Sequence, residues 1–110
     1  MMGYSPTSGE HFAEQKDTGV DANATTTTTV LHVEDNTKIA FHVVAASGAH
    51  TTHVITLQCS LDNSNWFDTS STITGVGLLE NIDTTCHFAR LKVTTNEGGA
   101  STVDTIIQAK

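Results

Sequence analysis

Apolar and polar residues alternate with period two along several stretches of the chain. In "TKIAFHVVA", residues 37–45, Ile39, Phe41, Val43 and Ala45 share one parity, with Lys38 and His42 on the other. Successive side chains of a strand point to opposite faces, so this pattern predicts a half-buried strand. "THVITLQCSL", residues 52–61, repeats it, with Ile55, Leu57, Cys59 and Leu61 set against Thr56, Gln58 and Ser60. "CHFARLKVTT", residues 86–95, sets Ala89, Leu91 and Val93 against Phe88, Arg90 and Lys92. "STVDTIIQAK" closes the chain with Val103, Thr105, Ile107 and Ala109 on one face.

Between these strands lie turn signals. Residues 34–36, "EDN", and 46–50, "ASGAH", read as turns, and 62–65, "DNSN", as the turn that sends the chain back through Trp66 and Phe67. "NEGGA", residues 96–100, reads as a hairpin loop whose two glycines supply positive φ. In "STITGVGLLENIDTT" the glycines Gly75 and Gly77 predict a bulge or loop ahead of a polar bend at residues 80–84. The threonine run Thr25–Thr29 leads into Val30, Leu31, His32 and Val33, a predicted first core strand or strand pair.

Short strands at this spacing predict an all-β fold: an antiparallel β-sandwich of about 7–8 short strands, built as a meander with at least one Greek-key crossing. Residues 1–24 show no sustained period, are interrupted by Gly3, Pro6, Gly9 and Gly19, and carry few large apolar side chains. They are expected to form an irregular N-terminal arm, extended or disordered until assembled, with residues 25–110 as the sandwich domain. Tyr4 and Phe12 are the candidate anchors of such an arm, because aromatics supply rigid contact area.

Composition agrees with this reading. Thr occurs 20 times among the 110 residues, and branching at Cβ favours extended backbone. Pro6 is the only proline, so the predicted strands keep their ladder donors. The formal net charge of −7 argues against a nucleic-acid partner. Lys16, Lys38, Arg90, Lys92 and Lys110 are too few and too scattered to displace counterions from a phosphate backbone. No apolar run approaches the length of a membrane span, and no membrane partner is expected. The first residues lack the basic start and apolar core of a signal peptide.

Candidate chemistry is sparse, and no enzymatic activity or cofactor is expected. His50 and His53 flank two threonines at one turn, but no third ligand follows by spacing, and they read as polar surface histidines. Asp62, Asn63, Asn65 and Asp68 offer oxygens for a hard cation, yet without the spacing of a known calcium loop, so no metal site is assigned. Cys59 and Cys86 are too few for a disulfide scaffold. They read as two small buried or half-buried thiols, with pairing open if their strands are neighbours. Trp66 has two readings. Exposed, it would stack on a sugar ring with Asp62, Asn63 and Asn65 as hydrogen-bonding partners. Buried, it would pack on Phe41, Leu57 or Leu61 at the base of a hairpin. Six Phe, Trp and Tyr side chains, two of them in the arm, leave the core short of large filler, and the buried reading is preferred.

"VITLQCSLDNSNW", "FARLKVTT", the glycine-rich loop and "VDTIIQAK" together resemble the small β-sandwich virion proteins of tailed bacteriophages, of the head decoration (cement) or fibre-base type. The resemblance spans residues 37–110. It implies that Ser60, Asp62 and Trp66 shape a hairpin and that Arg90 anchors a sheet or an interface. It further implies a structural role on the capsid exterior, after synthesis in the host cytoplasm. The implied partners are the major capsid protein and copies of this chain, with a trimer favoured, and the arm or the Thr25–Thr29 strand is expected to add to a neighbour. A carbohydrate-binding module using Trp66, or a tail or fibre-base component, is the alternative.

Overall fold

The structure, a computed structural model, describes residues 13–33 and 36–110. Eight strands form two four-stranded antiparallel sheets: β1 (Ala13–Asp21), β2 (Leu31–His32), β3 (Lys38–Gly48), β4 (Val54–Ser60), β5 (Phe67–Thr74), β6 (Gly77–Asp83), β7 (Phe88–Thr95) and β8 (Ser101–Ala109). One sheet runs β1-β8-β3-β6 and the other β2-β7-β4-β5. The all-β sandwich is therefore as expected, but its wiring is not a meander. Only β4 and β5 are both consecutive and paired, and every other connection crosses between sheets. Residues 96–100 thus link β7 in one sheet to β8 in the other rather than closing a hairpin. Their glycines are not in the left-handed region, which among the described glycines falls to Gly19, Gly48, Gly75 and Gly77.

The period-two strands deliver the core. Ile39, Phe41 and Val43 of β3 meet Val103, Ile107 and Ala109 of β8 within one sheet and face Ile55, Leu57, Ala89, Leu91 and Val93 of the other. Phe41 is the largest fully buried side chain, and such burial contributes roughly 1.5–3 kcal/mol. The expected faces fail at two ends. Ala45 lies exposed where β3 runs on past its partner face, and Leu61 is 62% exposed because β4 stops at Ser60. The bend expected at residues 80–84 is mostly the end of strand β6.

The boundary expected at residue 24 also moves. Residues 13–21 are strand β1, paired from Ala13↔Ala109 to Asp21↔Thr102, so they belong to the sandwich. Backbone hydrogen bonding to β8 makes this strand, which explains why its side chains show so weak a pattern. The run Thr25–Thr29 is not a free strand either. Thr28 N–H donates to Leu91 O and Val93 N–H to Thr26 O, each at 2.9 Å, so it already lies along β7.

Each sheet edge is blunted. The pairing of β1 slips between Asp17 and Val20, β2 is two residues long, and β5 slips opposite Leu57. The β6 register shifts around Asn81, which holds φ 57°. Irregular or short edges resist pairing with a foreign strand. Faces and ends of the sandwich remain as contact surfaces.

The two ends differ. At one, His53 is fully buried and pinned to Glu97. Its Nδ1 lies 2.9 Å from Glu97 Oε1 and its Nε2 2.7 Å from Gly75 O. The same Oε1 accepts backbone N–H bonds from Thr51, Thr52 and His53, each at 3.1 Å. His53 is thus a structural pin rather than the surface histidine the sequence suggested, and both its ring nitrogens are engaged away from any His50/His53 ligand pair.

Candidate interaction surface at the turn end

The opposite end carries the β4–β5 turn, and its geometry starts from Ser60. Ser60 is fully buried, and its Oγ accepts the N–H groups of Asp62 (3.2 Å) and Asn63 (2.9 Å) while donating to Asp62 Oδ1 (3.0 Å). Asp62 Oδ1 also accepts from Ser64 N–H (2.9 Å) and Asn65 N–H (2.8 Å), and its Oδ2 takes Asn65 Nδ2 at 2.6 Å. Asn63 sits at φ 63°, a conformation asparagine tolerates. The Asn65 and Ser64 backbone donors, then the side chains of Asn65 and Ser60, hold the Asp62 carboxyl well below the usual carboxylate range. Both Asp62 oxygens proposed for a cation or a glycan are therefore engaged within the turn itself.

This turn delivers Trp66 to the outer face of its sheet. There the Arg90 guanidinium carbon stands 4.2 Å from the indole ring centroid, a cation–π contact. Arg90 Nε donates to Gln58 Oε1 (2.8 Å), and Gln58 Nε2 donates to Asp68 Oδ1 (2.7 Å). A polar rung thus crosses β7, β4 and β5, following the registers Gln58↔Arg90 and Gln58↔Asp68. Partial burial lowers the Arg90 pKa from its ordinary value, but an arginine stays charged across the working range. Trp66 is half-buried and stands outside the Phe41–Leu57 core, so the preferred sequence reading, a tryptophan filling that core, is corrected.

More apolar surface lies at the same end. Phe67 is 55% exposed, Leu61 still more, and Phe88 is half-buried with its ring edge against His32, centroids 5.0 Å apart. Register places them at the same end but on two faces: Phe88, opposite Ser60 and His32, lies on the outer face with Arg90, whereas Phe67, opposite Cys59, lies on the inner side beside the cleft between the sheets. Of the aromatics among the described residues, only Phe41 serves the core. The signal was present in part, because Phe88 shares the parity of Arg90 and Lys92. Adjacent Trp66 and Phe67, moreover, cannot both face inward on a strand. Tyr4 and Phe12 lie outside the described residues. Ala13, where that segment joins the sandwich, is at this same end, beside Ala109 and close to the Thr37–Lys110 bonds.

Beneath the surface lies a disulfide between Cys59 and Cys86, Cα atoms 5.6 Å apart. The expectation of two separate thiols is overturned because the β4–β7 pairing brings Cys86, two residues before β7, alongside the end of β4. Both cysteines wall a cleft of about 250 Å³ between the sheets, shared with Leu57, Phe67, Ile82 and Thr84.

No family model matches the chain, and no curated protein matches it. Two solved structures are similar. The SPBc2 prophage-derived protein YomS superposes with a TM-score of 0.58 at 13% identity, covering 94% of this chain and 99% of that one. FlhE superposes at 0.55 with 16% identity, covering 93% and 96%. The chain shares the fold of these small proteins. At such identities the likeness is one of fold, and it carries no residue of the turn end across.

Proposed function

We propose that the chain is a structural virion protein, a capsid decoration (cement) protein that docks on the outside of a phage head and bridges neighbouring copies of the major capsid protein. The observation that carries this reading is the gathering of Leu61, Trp66, Phe67 and Phe88 at one end, around a turn held rigid by its own hydrogen bonds. Clustered aromatic anchors beside an arginine are the composition of interface hot spots. The fold shared with a prophage-derived protein supports the setting, and the blunted edges favour docking by an end over strand exchange. Repetition around a shell symmetry axis would raise effective concentration once one copy docks. A tail or fibre-base position would use the same surface.

Half-exposure of Trp66 beside Asn63 supports a second reading, carbohydrate binding. With Asp62 committed to the turn and Arg90 over the indole ring, that reading rests on the half-exposed Trp66 ring and Asn63. The readings separate by experiment. Virions produced from a genome encoding the chain should retain it through density-gradient purification, at a stoichiometry fixed by the head. Absence from purified heads overturns the decoration role, and saturable quenching of Trp66 fluorescence by oligosaccharides would install the second reading in its place.

A further inference from the structure

The disulfide is buried, each cysteine 3% exposed, but it lies at the interaction end against a cleft rather than at the centre of the sandwich. Cys59 lies outside the contiguous apolar cluster, and both cysteines border the cleft beside exposed Phe67. Cys59 is paired with Phe67 in register and precedes Ser60, the residue that organises the turn. Cys86 stands two residues before Phe88. The bridge therefore ties together the two backbone segments that present Trp66, Phe67 and Phe88. Thr84 adds a chemical feature. Its hydroxyl accepts Cys86 N–H at 3.1 Å and lies 2.9 Å from Cys86 Sγ but 3.6 Å from Cys59 Sγ.

We propose that Cys59–Cys86 is a thiol-reducible staple whose redox state sets the geometry of the interaction end. A small thiolate entering the cleft attacks Cys59 Sγ, and Cys86 leaves as a thiolate that accepts a hydrogen bond from the Thr84 hydroxyl before taking a proton from solvent. A second thiol releases Cys59 from the mixed disulfide. In balance, two small thiols are oxidised to one disulfide, and the chain gains two thiols. In a reducing cytoplasm the end would be loose, and it would set once the particle meets oxidising surroundings. The docking consequence rests on the function proposed above, whereas the redox step is read without any partner.

The test applies dithiothreitol to the folded protein without denaturant, counting thiols by alkylation and following backbone hydrogen exchange. Two thiols per chain should appear, and exchange at residues 61–66 and 84–88 should rise about tenfold or more while residues 39–43 and 103–107 stay protected. The double variant Cys59→Ser/Cys86→Ser should show that exchange pattern without reductant. Thr84→Val should slow thiol release. Thiols that appear only in denaturant, exchange unchanged at the turn end, or loss of core protection in step with reduction would each overturn the proposal.

Discussion

Two carboxylates and one cation–π pair decide how the ends of this sandwich are held. Burial works against an ionised Glu97, but hydrogen bonds from Thr52 N–H, His53 N–H, the His53 ring and the Thr51 hydroxyl outweigh it, bringing its pKa from 4.5 to about 2. A carboxyl depressed on folding stabilises fully above its unfolded value and loses that contribution as pH falls through the folded value. Glu97→Gln should therefore lower the melting temperature near neutral pH. Its gap from the native chain should narrow as pH falls from about 4.5 to about 2. Thermal melts across that range check this, and a gap independent of pH would contradict it. At the other end, Arg90→Ala removes the cation over Trp66 and should cost about 0.5–1 kcal/mol. It should also shift the emission of the single tryptophan to longer wavelength as the ring gains solvent. Denaturant titration followed by fluorescence reads both.

At the scale of elements, what was legible in the sequence is what depends on a strand alone. Ile39, Phe41 and Val43, or Val103, Ile107 and Ala109, alternate because each strand buries one face, and parity needs no knowledge of the partner. Pairing is another matter. That β7 and β8 part into different sheets is set by crossings, which leave no local pattern. Strand β1 owes its form to backbone bonds with a segment more than eighty residues away, and His53 owes its burial to Glu97, 44 residues on. The disulfide depends on the β4–β7 register across 27 residues. The candidate surface was half legible. Ser60, Asp62, Trp66 and Arg90 stood out as residues, but their assembly with Phe67 and Phe88 required the fold. Gly48 was not singled out, yet it closes the β3–β8 pairing at φ 78°, and a Cβ there would run into the Ala100 carbonyl. Gly19, at φ 64°, has open space around it. Gly19→Ala should cost about 1–2 kcal/mol for the backbone alone, and Gly48→Ala clearly more. Equal denaturant midpoints for the two variants would contradict the steric argument.

As a whole molecule the sandwich is polarised. One end is closed by the His53–Glu97 pin, and the other presents aromatics, a rigid turn and the root of the N-terminal segment. The disulfide belongs to the second end but also closes a long loop. By chain entropy its removal should cost about 3–4 kcal/mol, against a total of roughly 5–15 for a domain this size. Cys59→Ser/Cys86→Ser should therefore remain folded with a lower denaturant midpoint. A variant unfolded in buffer would mean that the bridge holds the fold rather than the end. The central claim is that this end is what docks. Co-sedimentation with heads produced from a genome encoding the chain, but lacking its product, tests it most directly. The native chain should bind to saturation, and a folded Trp66→Ala/Phe67→Ser variant should lose at least about tenfold in affinity, each tenfold being 1.4 kcal/mol of hot-spot contact. Binding by that variant equal to the native chain would contradict it.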